Sequence, residues 1–156
     1  MQFAKPNIVV SKCLEFESCR WNGAVINSPY VVKLKKLVNF IPVCAEVEIG
    51  LGIPRKPIRL VKQNDTIFLR QNETGLDVSD KMHAFSNSYL DSLSDIDGFI
   101  LKDRSPSCGN KDVKIYPDIG KVPTLKSNGT GLFAAHVLEK FSHLAIENEG
   151  RLMSFS

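Results

Sequence analysis

Three cysteines in this chain each stand just past a short apolar run. The segments are Asn7-Ile-Val-Val-Ser-Lys-Cys13, Phe40-Ile-Pro-Val-Cys44 and Gly98-Phe-Ile-Leu-Lys-Asp-Arg-Ser-Pro-Ser-Cys108. Such runs read as buried strands of a parallel sheet, and open α/β sheets bind ligands outside the carboxyl ends of their strands. Three thiols placed there can converge although they are far apart in sequence. Thiolates are soft ligands, suited to zinc, copper(I) or an iron–sulfur cluster. Three are one short of a closed tetrahedral set, and a metal site short of one ligand can do chemistry.

None of the cysteines forms a C-x-x-C pair, so neither a thioredoxin-like dithiol nor a zinc ribbon is indicated. The plain alternative is three cysteines packed as small hydrophobes. Against it, each lies in a polar or Gly/Pro-rich loop, beside Ser11-Lys12, Glu46, or Ser107 and Gly109. A shared metal or cluster site is therefore favoured. A cubane cluster takes one cysteine per iron, so three cysteines leave one iron open. Cys19, six residues after Cys13, is ambiguous. As a fourth ligand it would close the site and make it structural or electron-transferring, and the reading adopted leaves it out.

The elements that must position these groups alternate along the chain. A strand at Ile8 to Val10 is followed by a helix start at Ser28-Pro29, with serine as N-cap and proline in the first turn. Val31, Leu34, Leu37 and Val38 give that helix an apolar stripe, and Phe40 to Val43 is a second strand. A strand–helix–strand unit of this kind pairs its strands in parallel. Ile58 to Lys62 and Thr66 to Arg70 flank Gln63-Asn-Asp65 as an antiparallel hairpin. A helix runs from Ser79 or Asp80 to about Leu93. Phe99 to Leu101 is a core strand, Val113 to Tyr116 an edge strand, and Leu144 to Ile146 closes the sheet. Ser127-Asn-Gly-Thr-Gly131 leads into a helix through Leu132, Ala135, Leu138 and Phe141. The expected fold is α/β, a Rossmann-like three-layer sandwich: a mainly parallel sheet, helices on both faces, and a small β-hairpin insertion.

The chain has 156 residues, which favours one domain. That domain is expected over residues 1–150. Residues 151–156 are read as a C-terminal tail, or the start of a second domain, with no helix or strand to anchor them. No apolar run approaches the ~18–20 residues of a membrane span. The N-terminus lacks a signal-peptide pattern, so the expected location is the cytoplasm, a reducing compartment in which structural disulfides are not expected. Net charge is +3. The pI of about 8.7 falls short of the ~9 that marks a dedicated nucleic-acid domain.

Three stretches then carry a resemblance to a known family. Ser11-Lys-Cys13, Pro42-Val-Cys-Ala-Glu-Val-Glu-Ile-Gly-Leu-Gly-Ile-Pro-Arg-Lys-Pro-Ile-Arg-Leu-Val61 and Lys102-Asp-Arg-Ser-Pro-Ser-Cys-Gly109 resemble the signatures of the TudS-like thiouracil desulfidases, a former domain-of-unknown-function family that includes YbbK-like proteins. The resemblance spans nearly the whole chain. It implies a 4Fe-4S cluster held by Cys13, Cys44 and Cys108, with one iron not bound by protein. It implies non-redox removal of sulfur from a thiolated uracil, with Glu46 as catalytic acid/base and Ser105 as its assistant. Where the family usually has proline after the middle cysteine, this chain has Ala45, which leaves the loop less fixed in φ. Cys-Leu-Glu-Phe-Glu and Trp-Asn-Gly are closest to a subgroup whose longer members carry a second, C-terminal domain and resemble desulfidases of 4-thiouridine in transfer RNA.

The expected reaction replaces C=S by C=O and releases hydrogen sulfide. The expected substrates are 4-thiouracil, 2-thiouracil or 4-thio-UMP, as base or nucleotide. A transfer-RNA 4-thiouridine desulfidase domain, and a structural iron–sulfur or zinc module that binds RNA or a protein, are the competing readings. Ser11 and Asn128, Gly129, Thr130 and Gly131 are candidate substrate contacts, the last four because a glycine-rich helix start can bind anions. An ordinary glycine-rich helix start is the plainer reading of that stretch. Arg55, Lys56, Arg59 and Lys62 read as a solvated basic face, with weak transfer-RNA contact as the minority reading. Glu48 is read as an ion-pair partner of Arg55 or Arg59. Trp21 and Tyr30 read as packing residues rather than base-stacking ones, and His83, His136 and His143 show no ligand spacing. The oligomeric state is not legible.

Overall fold

The structure is a computed structural model, and it describes residues 4–154. The elements follow the order β1 (Asn7–Ser11), α1 (Pro29–Leu34), β2 (Asn39–Val43), α2 (Ala45–Glu48), β3 (Ile58–Gln63), β4 (Thr66–Gln71), α3 (Ser79–Ser92), β5 (Gly98–Leu101), β6 (Val113–Tyr116), β7 (Lys126–Gly129), α4 (Leu132–Lys140), β8 (Ala145–Asn148) and α5 (Glu149–Met153).

The first sheet has strand order β2-β1-β5-β8, and every neighbouring pair in it is parallel. Its strands are continuous apolar runs because both faces are covered. On one face Val9, Val43, Phe99 and Leu101 join Met82 and Leu90 of α3 and Phe133 and Val137 of α4 in one core. On the other, Val10 and Ile100 pack with Val31 of α1 and Leu152 of α5. This is the expected α/β sandwich. From β1 the chain goes to β2 on one side and later to β5 on the other, so the order reverses between β1 and β5. Ligand sites of open α/β sheets lie at such a reversal.

The hairpin β3–β4 is larger than its sequence signal. β6 adds parallel to β3 and β7 antiparallel to β6, giving a second four-stranded sheet of order β4-β3-β6-β7. Val113 to Tyr116, expected at an edge, is thus an inner strand, and Val113 and Ile115 are buried. α1 ends at Leu34 rather than near Val38, which leaves Leu37 63% exposed.

Residues 149–153 are helical, contrary to the expectation of an end without helix or strand, and residues 155–156 of the expected tail lie outside the described residues. Asn148 caps α5 by accepting a hydrogen bond from the Arg151 amide at 2.7 Å. The buried Glu149 carboxylate accepts the Asp103 amide at 2.7 and 2.9 Å and pairs with Lys102 Nζ at 3.1 Å, which ties α5 to the loop after β5. Among the described residues no helix is long and apolar enough to cross a membrane.

Candidate functional site

β1, β2 and β5 are adjacent, and each delivers a cysteine past its carboxyl end. Cys44 directly follows β2, Cys13 stands two residues beyond β1, and Cys108 ends the loop Lys102–Gly109 that leaves β5. All three line one cavity of about 320 Å³, a volume at the lower end of the ~300–1,000 Å³ typical of small-molecule sites.

Cys19 lines it too, contrary to the expectation that it stands apart. Its carbonyl accepts the Cys44 thiol at 3.9 Å. The reason is local. Glu15 takes a positive φ of 74°, and the Phe16 and Glu17 amides turn back onto the Lys12 carbonyl, folding residue 19 over the end of β1. Cys108 sits elsewhere on the wall, held by the side chains of Ser11 and Ser107.

The environments of Cys19, Cys44 and Cys108 favour protons over charge. Burial first, then the Cys44 and Glu46 charges, pushes Cys108 up to about 12. The contact with Cys13 is the main cause that pushes Cys19 up to about 11, and Cys44 is raised further by Cys19 and by burial. A cation is what makes thiolates favourable in such a place, and its binding releases the protons. No trio of His, Cys, Asp or Glu among the described residues is gathered tightly enough to hold a single metal ion. Cys13, Cys44 and Cys108, past three strand ends around one cavity, fit instead a polynuclear group, which holds its cysteine sulfurs further apart than one ion does. The donor set is all sulfur, the chemistry of an iron–sulfur cluster.

Glu46 lies in α2, two residues past Cys44, and its side chain is 15% exposed. Arg55 Nε donates to its Oε1 at 3.1 Å, and Ser107 Oγ donates to its Oε2 at 2.7 Å. Arg55 is 4% exposed, and its Nη1 also donates to the carbonyls of Cys19 at 2.8 Å and Gly52 at 3.0 Å. So Arg55 belongs to the site and not to a solvated basic face, and it pairs with Glu46 and not with Glu48.

Ser105 Oγ accepts the amides of Cys108 at 3.0 Å and Ser107 at 3.2 Å and lies 3.1 Å from Ser107 Oγ. With both N–H groups pointing at it, its own proton is free to go to Ser107, whose proton goes to Glu46. The order of donation is therefore Ser105 to Ser107 to Glu46. Ser107 is fully buried and is the functional residue that the sequence signal, centred on Ser105, passes over.

Ser11 lines the cavity, but it is 2% exposed and its Oγ accepts the Lys102 amide at 2.8 Å, so it ties β1 to β5. Asn128, Gly129, Thr130 and Gly131 do not line the cavity. The amides that an anion would need are taken: Gly131 donates to the Gly109 carbonyl, Leu132 to Pro106 and Ala134 to Ser107. The glycines serve close approach. A Cβ on Gly131 would stand 2.5 Å from the Ser107 carbonyl carbon, and one on Gly129 would stand 2.7 Å from Ile115. This stretch is the bed on which the Cys108 loop rests.

The remaining basic residues of the hairpin are engaged. The Arg59 guanidinium lies 3.8 Å above the Tyr116 ring and donates to the carbonyls of Asp118 and Gly120, while Lys56 pairs with Glu73 at 3.2 Å. The cavity has its own cations in Lys12, Arg20, Lys102 and Arg104, and Trp21, 44% exposed, is at its wall. His83 and His136 meet across α3 and α4 with Nδ1 and Nε2 2.7 Å apart, a pairing their sequence spacing does not show.

Comparison with known proteins gives three findings. The profile of a family described as 2-thiouracil desulfurase matches residues 8–149. The chain is 28% identical over 149 residues to YbbK of Bacillus subtilis strain 168, an alignment covering 91% of this chain and 96% of that protein. A solved structure described as a 4Fe-4S-dependent thiouracil desulfidase, TudS, is similar with a TM-score of 0.70 and 27% identity, over 96% of this chain and 95% of that one.

Proposed function

Because this chain belongs to the 2-thiouracil desulfurase family, we propose that it removes sulfur from a thiolated uracil, base or nucleotide, with a 4Fe-4S cluster held by Cys13, Cys44 and Cys108. The similar solved structure is described as 4Fe-4S-dependent, and the cysteines on the wall of this cavity fit that group. The net reaction is C=S plus water to C=O plus hydrogen sulfide, with no change in electron count.

When bound, the cluster supplies an electrophilic iron that polarises the carbon–sulfur bond. The rest falls to the chain's own side chains. Glu46 takes the proton from the attacking water, as a positioned general base. Arg55 holds the carboxylate by one oxygen, so the other keeps its direction toward Ser107. Ser107 and Ser105 carry a proton to and from Glu46 along bonds of 2.7 and 3.1 Å. Lys12, Arg20 and Arg104 at the cavity wall suit the phosphate of a thiolated nucleotide, while Lys102 is held by Glu149 at 3.1 Å.

The observation that carries the reading is the Ser105–Ser107–Glu46–Arg55 chain, buried beside the cysteines. A carboxylate fixed on both oxygens at the edge of a thiol-lined cavity is arranged for proton transfer, which a purely structural cluster does not need. Transfer RNA is the weaker substrate reading, because Arg59 and Lys56 are already engaged.

The test is anaerobic reconstitution, then turnover on 4-thiouracil, 2-thiouracil, 4-thio-UMP and thiolated transfer RNA at physiological salt. Hydrogen sulfide release from the small substrates is expected, with Glu46→Gln keeping its iron and losing ~10²–10⁴-fold in rate. Iron-replete protein that releases no sulfide from any of them would refute the reading. Comparable efficiency on transfer RNA would shift the substrate to RNA.

A further inference from the structure

Cys19 is buried in the catalytic cavity, yet the proposed reaction gives it no task. Its position is specific. The residue lines the cavity together with Cys13, Cys44 and Cys108, its carbonyl accepts the Cys44 thiol at 3.9 Å, and it is 1% exposed. Its carbonyl is held by the guanidinium that also holds Glu46, with Arg55 Nη1 at 2.8 Å from the one and Nε at 3.1 Å from the other. Cys19 is therefore on the Glu46 side of the cavity. The contacts of Cys108 are with the side chains of Ser11 and Ser107.

Resting on the cluster of the proposed function, we infer that Cys19 is the exchangeable fourth ligand, closing the open iron until substrate displaces it. The argument is geometric. With Cys13, Cys44 and Cys108 on three corners of a cubane, the fourth iron is left to another group on the wall of the same cavity, and Cys19 is the remaining thiol among the lining residues. Arg55 fixes the backbone of residue 19, so the thiol is delivered to that corner at little cost in conformational freedom.

The exchange balances without electrons. In the closed form Cys19 binds as thiolate. When substrate arrives, the iron–Cys19 bond breaks and the substrate's sulfur binds in its place. The substrate's ring N–H proton passes to the Cys19 sulfur. Product release reverses the proton transfer. The closed form shields the iron that solvent and oxidants would otherwise reach, and it raises the apparent KM in proportion to its population. A resting population nine-tenths closed makes KM about tenfold higher than that of an always-open site.

The experiment compares anaerobically reconstituted wild type, Cys19→Ala and Cys19→Ser. All three are expected to hold the same iron per chain, since Cys19 is not needed for assembly. On titration with ferricyanide, one-electron oxidation and loss of a ferrous ion leave a three-iron cluster, which electron paramagnetic resonance detects. Cys19→Ala is expected to form it several-fold faster than wild type, with Cys19→Ser between them. With substrate, KM is expected to fall about tenfold in Cys19→Ala while kcat holds. Equal oxidation rates and equal KM in wild type and Cys19→Ala would overturn the inference. So would an iron content in Cys19→Ala as low as in Cys44→Ala, which would make Cys19 an obligate ligand. A measurement on wild type alone covers the case of a variant that does not fold. Mössbauer spectra of substrate-free protein are expected to show four sulfur-ligated irons, and one iron with an oxygen ligand would refute the closed form. Protein that holds a cluster but releases no sulfide would sink the proposed function while these spectra still decide the role of Cys19. Protein that takes up no iron–sulfur cluster would sink both.

Discussion

Arg55 is the residue whose removal acts on stability and on chemistry at once. Its guanidinium is 4% exposed and makes three hydrogen bonds, one to Glu46 and two to the carbonyls of Cys19 and Gly52. Arg55→Met keeps most of the volume and removes the charge. It leaves a carboxylate that is 15% exposed with Ser107 as its one remaining partner. Breaking a buried pair from one side costs about 3–5 kcal/mol, and the Cys19 and Gly52 carbonyls lose a donor as well. At about 2–4 °C per kcal/mol for a chain of this size, the melting midpoint of cluster-free protein should fall by about 6–20 °C. Activity of the reconstituted protein should fall about 10²-fold, because a base displaced by ~1 Å loses roughly that much. The double variant Glu46→Gln, Arg55→Met removes both charges. It should regain at least ~1 kcal/mol over the sum of the single changes and remain inactive. The assay is thermal unfolding by circular dichroism beside sulfide release. A single Arg55→Met variant as stable and as fast as wild type would refute the role assigned to the pair.

Three further outcomes follow from the same geometry. Replacing Cys13, Cys44 or Cys108 with alanine should each reduce bound iron to a small fraction of wild type, read by iron and acid-labile sulfide analysis, and full loading of Cys44→Ala would overturn the ligand set. Gly131→Ala puts a methyl 2.5 Å from the Ser107 carbonyl. It should cost about 1–3 kcal/mol by overpacking and also lower iron retention, although residue 131 does not line the cavity; unchanged loading would show that the Cys108 loop does not rest on it. Cluster-free protein should lose stability as pH rises above about 9: the raised thiols of Cys19 and Cys108 keep their protons in the folded chain up to about 11 and 12, while the unfolded chain gives them up near 9.0, so from there upward the unfolded state binds fewer protons and is favoured. Melting midpoints taken at about pH 8 and about pH 10 check the sign, and a rise between them would contradict it.

The cysteines were legible because each ends an apolar strand, and the strands' own chemistry decides where their carboxyl ends lie. Nothing in the residues alone says which strands are neighbours, so the meeting of Cys13, Cys44 and Cys108 needed the strand order β2-β1-β5 as well as the pattern. Arg55 was hidden by its company. In Arg55-Lys-Pro-Ile-Arg59 every cation reads as solvated, and only the tertiary structure shows that one guanidinium turns inward to two carbonyls and a carboxylate. The glycines at 129 and 131 misled in the opposite direction. Glycine before a helix is compatible with an anion at the free amides and equally with another backbone lying against them. Here the loop carbonyls of residues 106, 107 and 109 take that place, accepting the amides of Leu132, Ala134 and Gly131.

The division into two sheets has a consequence for how the site tolerates change. The ligands and Glu46 belong to the first sheet, at the ends of β1, β2 and β5. Arg55 enters β3 of the second sheet three residues later, and Gly129–Gly131 leave β7 of that sheet to support the Cys108 loop. Both halves of the catalytic arrangement, the carboxylate's clamp and the loop's bed, are thus anchored in a sheet that contributes no thiol. Substitutions in its core, at Leu60 or Ile115 for example, lie outside the cavity wall but shift the two anchors together. Cavity-forming changes there cost about 2–5 kcal/mol, and the shifts they cause reach Glu46 and Cys108 along separate paths. The two paths can be told apart, because loss through Arg55 reduces turnover with iron retained, whereas loss through Gly131 releases iron.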